Sequence, residues 1–388
     1  MQRPEQIRVL KELLGHIDAG TNVDAGGQLH NPASAYTSVQ LAEEEWQNFF
    51  RTHPQVIGMS PDLPSPGSFL TMEDFGVPVL ATRDGSGNFR AFVNVCRHRG
   101  TLVESEARGT RKNFVCPFHG WSYNTQGELV GLPKPKQFGK VDRSCLGLVE
   151  LPAVEKYGFL WVHPDPEGSL DVDDLLGGLA DEFSSWNFTG LEHLQEDLYP
   201  TPMNWKLAID TFGETYHFKV LHRNSLAEFF EGDVQAYDTF GRNHRMTLCV
   251  KSIHEMRHTP ESQWHISQGG FPVYYLFPNI QVNVGRAGVT LVRVYPVAGK
   301  PAESFSQITF YQWPEIAALE PDFSREFPRI FGQVIRDEDY AAAALSQRGA
   351  NAGTQEYFIF GRNEPALHHY HNTYREALGM AALPLKPA

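Results

Sequence analysis

Cysteine is scarce in this sequence, with four residues in 388, and a disulfide-built scaffold is excluded on that count. Two of the four, Cys145 and Cys249, are expected to be buried apolar thiols rather than partners in a bridge. No apolar run reaches the roughly eighteen residues that a membrane-spanning helix requires. The N-terminus lacks the basic, apolar and small-residue regions of a secretion signal, so the cytoplasm is the expected location. Positive charge is in deficit. Lys and Arg number 33 against 46 Asp and Glu, a net −13, which argues against nucleic acid or an anionic membrane as partner, because phosphate binding needs concentrated positive charge. Phosphate loops are missing too. Asp84-Gly85-Ser86-Gly87 has neither the third glycine of a dinucleotide fingerprint nor the Gly-Lys pair of a P-loop, so it reads as a hairpin turn. With no flavin or nicotinamide motif, any reductant has to reach the chain through a partner. Internal repeats and low-complexity tracts are also absent.

What remains is a chain too long for one compact core, for which two domains are expected. Its most informative stretch is 94–123, NVCRHRGTLVESEARGTRKNFVCPFHGWSY, which sets Cys96-x-His98 against Cys116-x-x-His119. Two thiolates and two imidazoles from neighbouring loops make a metal site, either one tetrahedral zinc or a two-iron, two-sulfide cluster with thiolates on one iron and imidazoles on the other. Spacing favours the cluster. Zinc sites of this composition usually hold two or more residues inside the first pair, whereas Cys-x-His lets alternate side chains of a tight loop reach two irons. Pro117 and Gly120 suit tight turns, and Trp121, Ser122 and Tyr123 can shield a cluster and donate hydrogen bonds toward sulfur. The nearby Arg97, Arg99, Arg108, Arg111 and Lys112 read as a solvated surface ahead of a docking patch for an acidic electron donor.

Along the chain, Ile7, Leu10, Leu13, Leu14 and Ile17 recur at the spacing of an amphipathic helix. Thr37-x-x-Gln40 offers a capping box for a second helix carrying Leu41, Trp46, Phe49 and Phe50. Short strands are expected over 69–95 and again at 158–162. The acidic stretch 165–174 marks a domain boundary. The expected division is therefore a helical segment, 1–45, packed on the body, a mainly β metal domain, 46–165, and a second domain, 166–388. That second domain carries three β-rich runs, 272–284, 289–297 and 305–313. They point to an antiparallel sheet with helices on one side, an α+β arrangement. A final helix from Pro365 buries Leu367, Tyr370, Tyr374 and Leu378, leaving His368, His369 and His371 on its other sides.

A second metal site is legible in 204–222, NWKLAIDTFGETYHFKVLH. If that stretch is helical, Asp210, Glu214 and His217 share one face at intervals of four and three. His217 and His222 are five apart, so the helix must end or widen between them for both to reach one ion. Taken alone, such a pair is more often solvated or hydrogen-bonded than metal-binding.

The CRHRG and CPFHGWSY strings around Cys96, His98, Cys116 and His119, followed by this histidine pair, closely resemble the Rieske non-heme iron oxygenases, the alpha subunits of ring-hydroxylating and related enzymes. The resemblance covers nearly the whole chain. It implies a [2Fe-2S] cluster on those four residues and Fe(2+) on His217, His222 and a later carboxylate. Gln347-Arg-Gly349 resembles the family's downstream pattern, and by distance from it Asp339 is the third ligand, with Glu338 the runner-up; the bland alternative is that these acids merely begin a solvated helix. The resemblance further implies that electrons from a ferredoxin or flavin reductase pass through the cluster to the iron, where O2 is activated to hydroxylate an organic substrate by ring dihydroxylation or monooxygenation. Glu214 stands where Asp is commoner, at the acid that in this family links a cluster histidine of one protomer, here His119, to an iron histidine of the next, here His217. A homotrimer follows, with or without a small beta subunit. Glu214 is also similar to the branch acting on choline, carnitine and betaine-like quaternary ammonium compounds, which makes N-demethylation or monooxygenation of such a cation the alternative. A rival from another class is an electron-transfer iron–sulfur protein without oxygenase activity, and a further one is a zinc-stabilised binding protein.

Overall fold

A computed structural model describes residues 1–387. The chain forms two compact units. One comprises Trp46–Leu175 with Asn187–Gly190; the other comprises Met1–Glu45, Leu176–Trp186 and the chain from Leu191 onward.

The first unit is built from short antiparallel strands. Glu150–Leu151, Phe89–Val93, Val79–Arg83, Ser68–Met72 and Arg108–Thr110 lie side by side in that order; Ala153–Lys156, Phe159–Val162 and Gln55–Met59 form a second sheet, and Asn113–Val115, Ser122–Asn124 and Leu129–Gly131 a third. The turn after Val79–Arg83 is an Asx turn: Asp84 Oδ1 accepts the N–H groups of Ser86 and Asn88 at 2.8 and 2.9 Å. The core of this unit joins Phe69, Leu80, Phe92, Phe114, Tyr123 and Leu129 to Cys96 and Cys116. The metal loops therefore grow directly out of packed hydrophobic structure. Cys145 departs from expectation, since it lies exposed beside Asp142, 3.5 Å from its carboxylate.

In the second unit, α1 (Arg3–Ala19) buries Val9, Leu10, Leu13 and Leu14. The second helix, Val39–Glu45, is capped by Ser38, whose Oγ accepts the N–H of Leu41 at 3.2 Å. Thr37 instead closes the preceding turn, so the capping box expected there does not form. The central element is a seven-stranded antiparallel sheet of β1 (Glu192–Thr201), β2 (Phe230–Phe240), β3 (Asn243–Val250), β4 (Gly270–Leu276), β5 (Ile280–Val284), β6 (Gly288–Val297) and β7 (Lys300–Gln312), in the order β1-β7-β6-β5-β4-β3-β2. The expected run 272–284 is two strands, divided at Phe277-Pro278-Asn279. β1 escaped sequence reading because its residues, EHLQEDLYPT, are mostly charged or polar and exposed, as suits an edge strand.

Helices cover both faces of this sheet rather than one. α1 packs with Ala236 and Cys249 on one face. On the other lie α2 (Trp205–Asp210), α3 (Pro321–Val334), α4 (Tyr340–Asn351) and α5 (Pro365–Ala377), with Phe331 of α3 against Phe271 of β4 and Tyr370 of α5 stacked on His244 of β3. The α5 histidines also differ from expectation. His368 and His371 are buried, at 7% and 2% exposure, and Leu378 is only half-buried. Each of the three has a polar partner: Phe360 O for His368, Gly241 O for His369 and Asp210 for His371.

Candidate metal centres

Loops 96–101 and 116–121 are built alike. In each, the cysteine N–H donates at 2.8 Å to the carbonyl of Thr101 or Trp121, and the N–H of Gly100 or Gly120 returns to the cysteine carbonyl at 3.0 Å. Both glycines take positive φ, 75° and 73°, where a side chain would strain the backbone. Cys96 and Cys116 meet in the interior, each 3% exposed. Burial lifts the Cys116 thiol above its usual range, opposed by the N–H groups of Phe118 and His119 pointing at the sulfur. The rings of His98 and His119 are 4.5 Å apart. His98 stacks on Trp121 at 5.0 Å, and its Nδ1 is buried with no hydrogen-bond partner. That unpartnered nitrogen, in a pair of loops that also carries two buried thiols, fits a group that draws two sulfurs and two imidazole nitrogens together. His119 Nε2 lies 3.1 Å from the Arg99 guanidinium, which can only donate to it. Tyr123 OH accepts the N–H of Arg97 at 3.0 Å and donates toward Cys96 Sγ at 3.4 Å. Ser122 donates to Gly120 O at 3.1 Å instead of toward sulfur. Of the basic residues, Arg108 pairs with Asp62 and Arg111 with Glu104, each at 3.2 Å.

The second centre begins with α2. Asn204 caps it, accepting the N–H of Lys206 at 3.0 Å, while its own N–H donates to Gln347 Oε1 at 2.8 Å. A buried ion pair between Lys206 and Glu45, each 2% exposed, anchors the helix, and the Trp205 indole N–H adds a bond to the same carboxylate at 3.0 Å. α2 stops at Asp210 and the chain continues in turns to Ser225. The continuous helix expected through His217 is thus absent, and Asp210 does not share a face with Glu214. Asp210 accepts instead from Tyr36 OH at 2.6 Å and His371 Nε2 at 2.8 Å. Breaking the helix frees the turn segment to fold both imidazoles inward. His217 Nε2 and His222 Nε2 come within 3.1 Å of each other, and Asp339 Oδ1 lies 3.4 and 3.3 Å from them.

Asp339 and Glu338 are neighbours with different partners because Ile335–Asp339 is a π-helical turn between α3 and α4, a widening common at functional sites. Glu338 accepts from His222 Nδ1 at 2.7 Å and from Ser225 Oγ at 2.8 Å. Glu214 accepts from both Nδ1 and the backbone N–H of His217. Each imidazole is thereby held by a carboxylate on Nδ1 with Nε2 directed at Asp339, and one ligand atom from each of His217, His222 and Asp339 falls within a 4.8 Å set. This donor set fits a divalent iron with open coordination positions. Burial disfavours charge on His217, yet the carboxylates of Asp339 and Glu214 outweigh it and lift the ring to about 10. Asp339, despite its burial, is held below the usual carboxylate range by the two imidazoles. A cation held between the two imidazoles and Asp339 would take the place of that proton. Sequence reading missed the Nδ1 role of Glu338 and the Tyr36–Asp210–His371 chain, neither of which has a local signal.

Above the three ligand groups is a small cavity of about 40 Å³, walled by Phe212, Phe218, Phe230, Phe271 and Phe331 and by Met246, Val273 and Asn283 from the sheet. A larger cavity of about 750 Å³ shares Leu226, Phe230, Phe271 and Phe331 with it and extends beside α3.

These features have counterparts in known proteins. Residues 53–155 match the Rieske [2Fe-2S] domain, and residues 188–380 match the ring hydroxylating alpha subunit catalytic domain. Choline monooxygenase of Spinacia oleracea is 25% identical over 358 residues, covering 89% of this chain and 78% of its own length. The large oxygenase component of the naphthalene 1,2-dioxygenase system of Ralstonia sp is 38% identical over 186 residues, 46% of this chain and 40% of that protein. Among solved structures, the quaternary ammonium Rieske monooxygenase CntA in complex with an inhibitor has a TM-score of 0.77 at 21% identity, over 91% of this chain and 96% of that one, a likeness of fold. With one domain matched on each metal-binding stretch and a relative aligned across most of the chain, this protein belongs to the Rieske non-heme iron oxygenases as an alpha subunit, carrying a [2Fe-2S] domain and a mononuclear iron catalytic domain.

Proposed function

We propose that this chain is the terminal oxygenase of a multicomponent system and that it hydroxylates a small, largely apolar organic substrate. In this reading Cys96, His98, Cys116 and His119 hold the cluster within a domain at 46–165, and His217, His222 and Asp339 hold the iron within a domain at 166–388. One observation carries it: two Nε2 atoms and a carboxylate oxygen, 3.1 to 3.4 Å from one another, at the floor of a phenylalanine-walled cavity. Iron bound there would supply O2 activation, using electrons delivered from a ferredoxin or flavin reductase through the cluster. The chain's own residues do the rest. Glu214 and Glu338 hold the Nδ1 protons, which fixes the tautomer that points Nε2 at the metal. The phenylalanine wall keeps water from the reacting carbon.

Glu214 is also the proposed link to the neighbouring protomer's His119, within a homotrimer. Its carboxylate is half-buried and retains acceptor capacity beyond His217. Transfer between subunits has been described for a quaternary ammonium Rieske monooxygenase. A quaternary ammonium substrate is the second reading, favoured by Glu214 and by the likeness to choline monooxygenase. Against it, every wall aromatic is Phe, the weakest cation–π partner, and the acids lining the cavity are Glu214 and Asp339, both engaged with the histidines.

The test is metal analysis followed by turnover. Anaerobically purified protein should be brown, with about three irons and two acid-labile sulfides per chain, and should convert substrate to hydroxylated product with a surrogate reductase. Zinc without sulfide would sink the reading. A cluster without the third iron would leave only the electron carrier.

A further inference from the structure

Resting on the oxygenase reading, we propose that Asn283 reads the substrate, and that the substrate carries on an apolar body one neutral group with a hydrogen-bond donor and acceptor side by side, as lactams and carboxamides do. Asn283 sits within β5, is 2% exposed, and neither its Oδ1 nor its Nδ2 has a hydrogen-bond partner. It lines the same cavity as His217, His222 and Asp339. A buried amide left unpaired costs about 1–3 kcal/mol, and a strand flanked by Val282 and Val284 could hold an apolar residue at that place without the cost. No neighbouring side chain bonds to it. The residues opposite on the same face are Val273 of β4, which is apolar, and Thr290 of β6, whose Oγ1 is itself buried and unpartnered.

The chemistry of the missing partner follows from the atoms. A primary amide with both ends free is complemented by a group offering N–H and C=O in parallel. A charged group would meet no counter-charge on this wall, since the remaining sheet residues lining the cavity are Phe230, Met246, Leu248, Phe271 and Val273. A quaternary ammonium has no N–H to give Oδ1. The sheet wall carries Asn283, whereas the ligands come from the turn segment and the π-helical turn, so a substrate anchored at Asn283 extends toward the metal. Asn283 would thus select the substrate and decide which carbon is presented.

Oxindole, a bicyclic lactam, and indane, its near-isosteric hydrocarbon, are the probes. Both would be measured on metal-loaded wild-type protein, Asn283→Leu and Asn283→Asp, by equilibrium binding and by product formation after chemical reduction of the cluster. Wild type should bind oxindole about tenfold or more tighter than indane, and Asn283→Leu should lose that preference through oxindole alone. Asn283→Asp, which keeps the shape but not the N–H donors, should lose oxindole as well, so either variant decides the matter if the other fails to fold. An unchanged oxindole-to-indane ratio in the variants, equal binding in wild type, or no binding of either probe overturns the proposal. Discriminated binding without any product would instead strike the oxygenase reading and leave Asn283 as the reader of a bound lactam.

Discussion

At the scale of single residues, adjacent acids on one helical turn hold different jobs, and substitution separates them. Asp339→Ala removes the oxygen that lies 3.3–3.4 Å from both Nε2 atoms. Mononuclear iron and product should both fall to background, with the visible spectrum of the cluster unchanged, because the two centres use separate ligands. Glu338→Gln removes only the charge on His222 Nδ1 and should weaken iron retention by about 10–100-fold while leaving measurable turnover at saturating iron. If Glu338 proves essential for iron and Asp339 does not, the ligand assignment is reversed. Glu364 offers a pH test. Burial raises its carboxyl to about 7, the Gly361 N–H opposing and the charges of Glu214 and Asp210 adding. A carboxyl raised on folding contributes stability that is present below its unfolded pKa, near 4.5, and lost as pH climbs through 7. Glu364→Gln should therefore match wild type in Tm at pH 5 and exceed it at pH 8 by roughly a few degrees. An equal offset at both pH values would show that the carboxyl titrates normally.

At the scale of elements, the catalytic centre depends on where α2 ends and where α3 widens. α2 is six residues long, too short to persist without outside support. That support comes from the Asn204 cap, the Lys206–Glu45 pair and Gln347 reaching across from α4. Asn204→Ala deletes both the cap and the bond from Nδ2 to Pro301 O at 2.7 Å. It should cost about 1–3 kcal/mol, seen as a lower Tm. Because the turn segment bearing His217 and His222 leaves from the end of α2, iron occupancy should fall with it while cluster content stays constant. A variant with lower Tm but full iron would show that the turn segment is held independently of its helix.

At the scale of the whole molecule, function is proposed to require assembly, with the cluster of one protomer serving the iron of the next. Co-expression of two differently tagged variants tests this. Cys96→Ser should lack a cluster and His217→Ala should lack mononuclear iron, so each homo-oligomer should be inactive. Hybrids isolated through both tags should recover a substantial fraction of wild-type turnover, since an intact cluster then faces an intact iron site across a subunit boundary. Hybrids with both centres loaded and no product would exclude transfer between protomers, and a monomer in solution would remove its premise. Among the described residues no helix is long and apolar enough to cross a membrane.

Local chemistry was legible in the sequence wherever residue type and spacing alone determine it. Cys96, His98, Cys116 and His119 sit in two short loops whose turns need only a glycine at Gly100 and Gly120, so their convergence is written within 30 residues. The apolar spacing of α1 and the strands after Phe69 are of the same kind, set by periodicity. Tertiary structure decided the rest, because the groups that satisfy one another lie far apart in the chain. The sequence 204–222 has helical spacing, yet the helix stops at Asp210, whose carboxylate is bound by Tyr36 and His371, and Phe218 of the following turns packs on Phe230 of β2. Arg245 is a buried strand residue whose guanidinium is surrounded by Glu182, Asp238 and Glu5. Glu338 differs from Asp339 only through a widened turn, and of Val282, Asn283 and Val284, Asn283 is the one that lines the metal cavity. Which face a side chain takes follows from strand register and from packing partners more than a hundred residues away, and neither is a property of the local sequence.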